Sequence, residues 1–277
     1  MKYLITLSFI VFLMSCNNGN DAKPGDNGSG TAPVIETPGL AAPKPISYYI
    51  ISEYPHDTSS FTEGLEFHNG KLYESGGEYG TSKLQYGDHK TGVPTEKHKL
   101  DDKIFGEGIT ILKDKIYQLS YQEHVVYVYD VKDIQKVIKT FNWPYEGWGM
   151  TNNGTDLIID TGSPTLYFID PETFKIKSTI AIVDNKGPVE MVNELEYING
   201  FVWGNVWQTN RIVKIDPESG HVVGDMYMTN IAGPNGTMIT TGFGNSDVLN
   251  GIAYDSISKN IFITGKRWPK IYEVKTN

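Results

Sequence analysis

One short pattern recurs five times along this chain and constrains its fold more than any other feature. A glutamate or asparagine, usually followed by glycine, precedes an apolar run typical of a β-strand; the copies start at Glu63, Glu107, Glu146, Asn193 and Asn250. A turn rich in Asn, Gly, Asp or Lys and a second apolar run follow each start, and most copies add a third run. The intervals between starts are 44, 39, 47 and 57 residues, which is the length of a four-stranded propeller blade.

The repeat predicts an all-β chain folded as a five-bladed β-propeller. Runs such as "GITIL" and "VVYVYDV" are short, alternating or fully apolar, and bounded by Gly, Asn, Asp or Pro. Glycine, at 29 of 277 residues, exceeds its usual share of ~7% and favours a turn-rich β protein. The one plausible helical stretch, "DVKDIQKV", is short. A β-sandwich is the alternative, but it does not explain the recurring start.

The two ends of the chain are expected to meet in the last blade. The fifth copy ends after its third strand, and the N-terminal run "SYYIISEYP" has no repeat of its own. We predict that this run supplies the outer strand of the last blade and so closes the ring without a free edge. Because the first strand of each blade lines the central channel, the five starts should share one end of it.

The first sixteen residues indicate a secretory signal rather than part of the fold. Lys2 precedes an apolar run that is too short to span a bilayer comfortably and that ends in "LMSC". These four letters resemble a bacterial lipobox, and Cys16 is the single cysteine of the chain. We predict residues 1–16 to be a lipoprotein signal with Cys16 lipidated; an ordinary signal peptide is the alternative. The mature domain then has no disulfide and no thiol chemistry.

Residues 17–45 are rich in Asn, Gly, Asp and Pro and cannot bury enough apolar surface to fold. We predict a flexible tether there and a propeller domain over residues 46–277. The anchor would place the domain in a bacterial cell envelope, facing the periplasm or on the outer membrane. A monomer is expected because propellers are self-contained.

Several functions are disfavoured by what the sequence lacks. The net charge of −9 and the absence of Lys/Arg clusters argue against a nucleic-acid partner. The six histidines are scattered without the spacing of metal ligands. There is no G-x-S-x-G elbow and no G-x-x-x-x-G-K-[ST] phosphate loop. A structural divalent cation in the acidic channel is left open.

A set of motifs, in this order, resembles a known family. The motifs are "FTEGLEF", "LYESGGEYGTSKL", "FGEGIT", "YEGWGMTNNG", "LYFIDPETF", "NELEYINGFVWGNVWQTNRIVKIDP", and "LNGIAYD" followed by "FITGKRWPKIYEV". They resemble the glutaminyl cyclases, or glutamine cyclotransferases, of the plant and bacterial type, over residues 48–275. The resemblance implies a five-bladed propeller that converts N-terminal glutamine into pyroglutamate and releases ammonia, without a required cofactor or catalytic zinc.

The resemblance also implies roles for particular residues. Glu107 in "FGEG" matches the catalytic glutamate, which would take a proton from the attacking amine and deliver it to ammonia. The other matching pocket positions are Phe61, Phe105, Trp148, Asn193, Trp207 and Lys266. Asn, Trp and Lys are donors suited to the oxyanion that forms on the γ-carbonyl, and the phenylalanines would form an apolar floor. Taken without the resemblance, a turn glutamate, core aromatic residues and a surface lysine explain the same letters.

Two substrate-binding positions depart from the family pattern. Glu63 stands where the family usually has glutamine, and Tyr121 stands where it usually has tryptophan. Glu63 would accept hydrogen bonds from the substrate amine, but it adds a charge near Glu107 that should raise the pKa of one carboxyl. Tyr121 keeps an aromatic wall.

The rival hypothesis is a non-catalytic propeller that binds a ligand or a protein partner across its rim. The two hypotheses differ in geometry. The enzyme needs Glu107, Asn193, Trp207 and Lys266 to converge on one pocket, whereas a binding propeller does not.

Overall fold

Short alternating runs separated by glycine- and asparagine-containing turns fold into antiparallel strands stacked in five sheets. The structure is a computed structural model that describes residues 39–229, 231 and 247–277. The predicted signal peptide with Cys16, and the predicted tether up to residue 38, lie outside these residues. Every element within the described part of the chain is a strand or a turn, in agreement with the all-β prediction.

Each of the five sheets is a blade, and in blades 1 to 3 the four strands follow one another in sequence. Blade 1 contains β3 (Thr62–His68), β4 (Lys71–Gly76), β5 (Lys83–Gly87) and β6 (Pro94–Lys99). Blade 2 contains β7 (Gly106–Leu112), β8 (Lys115–Ser120), β9 (Val125–Asp130) and β10 (Asp133–Asn142). Blade 3 contains β11 (Met150–Asn152), β12 (Leu157–Ile159), β13 (Thr165–Ile169) and β14 (Ile176–Ala181).

The last two blades include strands from the N-terminal part of the chain. Blade 4 contains β17 (Val192–Ile198), β18 (Phe201–Val206), β19 (Arg211–Ile215) and β20 (Val222–Tyr227), with β1 (Lys44–Pro45) added in parallel to β20. Blade 5 contains β21 (Leu249–Asp255), β22 (Asn260–Gly265), β23 (Lys270–Thr276) and β2 (Tyr48–Pro55). A small ribbon pairs β15 (Val183–Asp184) with β16 (Gly187–Pro188).

The ring closes as the sequence predicts. Strand β2 pairs antiparallel with β23, so the first long strand is the outer strand of the last blade. The inner strands β3, β7, β11, β17 and β21 contact one another in that order, and β21 returns to contact β3. The five-bladed β-propeller and its closure by the N-terminal strand are therefore confirmed.

The apolar core is divided into five clusters, one between each neighbouring pair of blades. Blades 1 and 2 meet around Leu84 and Ile116, and blades 4 and 5 meet around Ile212 and Ile263. The remaining three clusters fill the other interfaces in the same manner. Because a buried leucine or isoleucine contributes about 1.5–3 kcal/mol, these interfaces hold the blades in a fixed relation around the channel.

A glycine near the start of an inner strand lets the next blade approach closely. A Cβ atom on Gly64 would lie 2.5 Å from the backbone nitrogen of Ile109, and one on Gly108 would lie 2.5 Å from that of Met150. Ile109 is two residues after Glu107, and Met150 is two residues after Trp148. Trp148 therefore takes the position in blade 3 that Glu107 takes in blade 2.

Because of this equivalence, the third repeat has to be aligned on Trp148, and the alignment on Glu146 made from the sequence is wrong. The motif "EGWG" contains two glycines, and the second one, not the first, precedes the inner strand. Glu146 lies outside the strand, where its carboxylate accepts hydrogen bonds from Gln122 and Trp148.

Two further expectations differ from the structure. The stretch "DVKDIQKV" is not helical: it forms a turn and the start of β10, which pairs with β9. The last two residues of the predicted tether form β1, because Ile46 donates a backbone hydrogen bond to Asp225 and holds the segment against β20. As for membrane crossing, no helix among the described residues has the length and apolar character that a bilayer span requires.

Candidate active site

One cavity of about 220 Å³ opens at the end of the channel where the inner strands begin. It is lined by nine side chains: Phe61, Glu63, Phe105, Glu107, Tyr121, Trp148, Asn193, Trp207 and Lys266. These are the nine residues that the sequence analysis assigns to a catalytic or substrate-binding pocket. The structure brings all of them together, while the role of each in a reaction stays a prediction.

β-Bulges explain how the two glutamates come to face this cavity. The register of β3 against β4 shifts between Thr62 and Gly64, and that of β7 against β8 shifts between Gly106 and Ile109. A bulge places an extra residue in one strand and re-aims a side chain that would otherwise lie in the ladder. Glu63 and Glu107 are the residues inside these two bulges.

Three other lining residues are delivered by the second strands of their blades. Tyr121 follows the end of β8, Trp207 follows the end of β18, and Lys266 follows the end of β22. Because each second strand runs antiparallel to its inner strand, it ends at the face where the inner strand begins. The antiparallel topology thus brings residues far apart in sequence to one rim.

Aromatic rings form the walls of the cavity. The rings of Trp148 and Trp207 meet edge to face, with centroids 5.8 Å apart. Phe105 contacts Phe61 at 6.2 Å and Tyr121 at 5.8 Å between ring centroids. These rings keep the carboxylates away from bulk water and leave a space that is narrow and mostly apolar.

Glu63 is held in a buried ion pair. Its Oε1 accepts a hydrogen bond from Lys266 Nζ at 2.7 Å, and its Oε2 accepts one from Asn250 Nδ2 at 3.1 Å. Burial raises the pKa of Glu63, although the ammonium of Lys266 and a hydrogen bond from Asn193 oppose that rise. Lys266 Nζ also lies 4.5 Å from the centre of the Phe61 ring, a distance typical of a cation–π contact.

Glu107 is buried but not engaged in this way. It is 6% exposed, and no residue that the structure describes donates a hydrogen bond to its carboxyl group. Burial, reinforced by the nearby carboxylate of Glu63, raises the pKa of Glu107 well above its ordinary value. Of the two glutamates, Glu107 is the one free to exchange a proton with a bound molecule.

The polar groups around the cavity differ in whether they already have hydrogen-bond partners in the protein. The indole N–H of Trp148 donates to Glu146 at 3.3 Å, so it is engaged with the rim. Asn193 is buried, and its Oδ1 has no hydrogen-bond partner among the described residues. A buried carbonyl without a donor is costly, and a ligand N–H would satisfy it.

Sequence reasoning missed two residues that support the site. Asn250 was taken as a blade start, but its amide also donates to the backbone carbonyl of Thr62 at 2.9 Å and so fixes Glu63 from both sides. Asp160, fully buried at the end of β12, accepts a hydrogen bond from the backbone N–H of Gly149 at 3.1 Å and orients the segment of Trp148. Burial raises the pKa of Asp160 well above its ordinary value. The sequence signals were an amide at the start of an apolar run for Asn250 and a carboxyl directly after one for Asp160.

The prediction of a channel cation gains no support from the side chains. Within residues 39–229, 231 and 247–277, no group of three or more His, Cys, Asp or Glu side chains is arranged to hold a metal ion. Glu194, on the inner strand β17, is engaged by protein donors instead: it accepts hydrogen bonds from the backbone N–H groups of Leu65 and Ile252.

Fold and site together define a class of protein: a β-propeller with a small, aromatic-walled pocket built around a buried carboxyl that has no donor among the described residues. Comparison with known proteins agrees and is more specific. The family model for glutamine cyclotransferases matches residues 28–276. A glutaminyl-peptide cyclotransferase of Arabidopsis thaliana is 37% identical over 227 residues, covering 82% of this chain and 70% of that protein.

A solved structure supports the same conclusion. The crystal structure of Myxococcus xanthus glutaminyl cyclase matches with a TM-score of 0.77 and 32% sequence identity, covering 85% of this chain and 98% of that one. The chain therefore belongs to the glutamine cyclotransferase family. The family resemblance drawn from the sequence motifs is confirmed.

Proposed function

We propose that this pocket cyclises the N-terminal glutamine of peptides and proteins to pyroglutamate and releases ammonia. The α-amine nitrogen attacks the γ-carboxamide carbon of the same residue, forming the C–N bond of a five-membered lactam. The bond from that carbon to the amide nitrogen then breaks. The proton lost by the amine passes through Glu107 to the departing nitrogen, which leaves as neutral ammonia.

The observation that carries this proposal is the convergence of the nine lining residues on one cavity. Its volume of about 220 Å³ lies below the ~300–1,000 Å³ of pockets for drug-sized ligands. Such a space suits the end of one residue rather than a length of peptide. A single N-terminal glutamine, with the rest of the chain left outside, matches both the size and the mixture of apolar walls and few polar groups.

Glu107 has the properties that the proton transfer needs. A general base works best when its pKa lies near the working pH, and burial beside Glu63 raises the pKa of Glu107 in that direction. The substrate α-amine, with an ordinary pKa of about 7.7–8.0, must be neutral to attack. A carboxyl without protein donors is able to accept that proton and return it.

The remaining polar groups suit the amide end of the substrate. The indole N–H of Trp207 donates to no acceptor among the described residues, and Lys266 has N–H groups beyond the one that it donates to Glu63. Both are donors for the oxyanion that forms on the γ-carbonyl. The unpartnered Oδ1 of Asn193 suits an N–H of the substrate, so we assign Asn193 as an acceptor rather than an oxyanion donor.

The test is ammonia release from a dipeptide that begins with glutamine. We expect Glu107→Gln to lower the rate by about 10²–10⁴-fold, which is the usual contribution of general acid–base catalysis. Glu218→Gln, which changes an exposed carboxylate on the β19–β20 turn, is the matched control and should keep the wild-type rate. Equal rates for wild type and Glu107→Gln would remove Glu107 from this role. No release by the wild type would favour the rival, a propeller that binds without catalysis.

The sequence also supports a place for this activity. We propose that Cys16 is lipidated and that the chain from residue 17 up to β1 tethers the domain to a bacterial envelope membrane, facing the periplasm or on the outer membrane. There it would meet glutamines exposed when exported chains are processed. If this is correct, the full-length wild type fractionates with membranes and Cys16→Ser does not; equal fractionation would contradict the anchor.

A further inference from the structure

A second cavity lies between blades 4 and 5, away from the site described above. It has a volume of about 160 Å³. Its lining includes Ile198 at the end of β17, Tyr254 near the end of β21 and Thr276 at the end of β23. The active-site cavity lies where inner strands begin, so this cavity opens at the opposite face of the propeller.

Three lysines line this cavity and no acidic residue does. The ten lining residues include Lys214, Lys259 and Lys275, and contain no aspartate or glutamate. None of the three lysines forms an ion pair with a carboxylate in the part of the chain that the structure describes. In a chain of net charge −9, three cations grouped without counter-charges leave a local positive potential.

A buried, unsatisfied donor lies at the same place. Trp203 lines the cavity and is 4% exposed, and its indole Nε1 has no hydrogen-bond partner among the described residues. Buried N–H groups in folded proteins nearly always have an acceptor, so this one is available to an acceptor from outside the fold. Trp203 is also paired across the ladder with Lys214, whose Nζ lies 5.7 Å from the centre of its ring.

The buried carboxyl that is paired with Trp203 across the ladder is already engaged by the backbone. Glu196 is the other cross-strand neighbour of Trp203, but its Oε1 accepts the backbone N–H of Tyr254. Burial raises the pKa of Glu196 well above its ordinary value. The lysines and the indole N–H are thus left to a ligand from outside the fold.

We propose that this cavity binds a phosphate-type oxyanion, with the indole N–H of Trp203 and the ammonium groups of Lys214, Lys259 and Lys275 as its donors. The small volume fits a single phosphate group rather than a nucleotide. Both free phosphate and the headgroup of an anionic lipid present this chemistry.

The first arm of the test titrates the full chain, carrying ¹⁵N-labelled tryptophan, with inorganic phosphate at constant ionic strength. We expect a saturable shift of one indole N–H signal, assigned to Trp203 by its loss in Trp203→Phe. The double variant Lys259→Gln/Lys275→Gln should bind phosphate about tenfold or more weakly, since charge-assisted hydrogen bonds are lost. Lys136→Gln, an exposed lysine on β10, is the matched control and should bind as the wild type does.

The second arm separates the two sources of the anion. The same proteins are sedimented with vesicles of phosphatidylglycerol in phosphatidylcholine and with phosphatidylcholine alone; the readout is the extra binding to the anionic vesicles, because an acyl anchor would bind both. An increment lost in the double variant identifies a lipid headgroup, and phosphate binding without such an increment identifies a free anion. Ammonia release should be unchanged in the double variant. If neither arm depends on Lys259 and Lys275, the proposal is wrong.

Discussion

Glu63 and Glu107 show how neighbouring residues give the same side chain two different environments. Both lie in a bulge at the start of an inner strand, and both are buried in one cavity. Glu63 is occupied by Lys266 and Asn250, whereas Glu107 has no donor in the described structure. Burial raises the pKa of Glu107, the neighbouring carboxylate of Glu63 raises it further, and the ammonium of Lys266 opposes the rise.

Replacing Glu63 tests this coupling. In Glu63→Gln the charge that raises the pKa of Glu107 is removed, and the ammonium of Lys266, which lowers it, is no longer neutralised. The pKa of Glu107 should fall, so the acidic limb of the pH profile of kcat/KM should move to lower pH. We expect activity to be retained or increased, since a glutamine oxygen still accepts from Lys266.

Two results would contradict this expectation. An acidic limb that stays in place would show that Glu63 does not influence the proton on Glu107. Complete loss of activity would show that the carboxylate itself is required. Glu218→Gln serves again as the control and should leave the profile unmoved.

A free carboxyl at a buried position should also reduce stability at neutral pH. An unfolded glutamate titrates near pH ~4.3, and the folded pKa of Glu107 is higher. Above pH ~4.3 the folded state binds more protons than the unfolded state, so the free energy of unfolding falls as pH rises through this window. Glu107→Gln escapes this loss, and its Tm should exceed that of the wild type at pH 8 but not at pH 4. A Tm difference independent of pH would rule out ionisation as its cause.

At this scale the sequence predicted which residues meet but not how they pair. All nine lining residues were assigned through the resemblance of their motifs to the family, and the structure brings these motifs to one rim of the propeller. The partner of Lys266 was not predictable, since Glu63 lies 203 residues earlier and the contact depends on how blades 1 and 5 pack.

At the scale of the element, the start of the inner strand decides which residue each blade brings to the rim of the channel. In blades 1, 2, 4 and 5 the inner strand shifts register against its neighbour within its first residues. Blade 3, whose β11 is short and regular, instead places Trp148 at this point. The repeat places one residue of each blade at the start of the inner strand, and the identity of that residue differs from blade to blade.

The close approach at Gly108 should tolerate no side chain. A methyl group there would lie 2.5 Å from the backbone nitrogen of Met150 and 2.6 Å from the carbonyl of Trp148. We expect Gly108→Ala to lower the free energy of unfolding by about 1–3 kcal/mol and to reduce kcat, since it displaces blade 3 from Glu107. Urea unfolding and ammonia release measure the two effects.

Gly70→Ala is the control for this substitution. Gly70 has φ +74° in the β3–β4 turn, with open space around its Cα. Alanine there costs about 1–2 kcal/mol of left-handed backbone strain and should leave kcat unchanged. If Gly108→Ala also keeps the wild-type kcat, the close approach does not position the site.

Strand order was predictable because each turn is local, whereas the register of the third repeat was not. "EGWG" contains two glycines, and the first one agrees better with the sequence of the other repeat copies. The second is required by packing, because it alone lies against the next inner strand.

The described part of the chain is a ring without a single core, and its closure joins the two ends of that part. The interface between blades 5 and 1 depends on Phe262 and Ile271, which pack on Leu65 and Leu72. Strand β2 covers the edge of β23 and ties this last blade together.

Removing β2 should therefore weaken the entire ring. A chain that begins at His56 loses the partner of β23 and exposes its edge. We expect its Tm to fall by about 10 °C or more, since 1 kcal/mol corresponds to ~2–4 °C in a domain of this size. A chain that begins at Gly39 keeps β1 and β2 and should melt like the full chain. A small shift for the shorter chain would show that blade 5 is stable with three strands.

The same closure determines how late in synthesis the fold can be completed. Tyr54 on β2 donates a hydrogen bond to Glu273 on β23, and these residues are 219 positions apart. At ~5–20 residues per second, the ribosome needs about 10–45 s to make the second after the first. Lys266 emerges near the end of that interval, so Glu63 spends it without its partner. A nascent chain that stops before Lys266 lacks a lining residue of the pocket and the partner of Glu63, so the site can be completed only after blade 5 has been made.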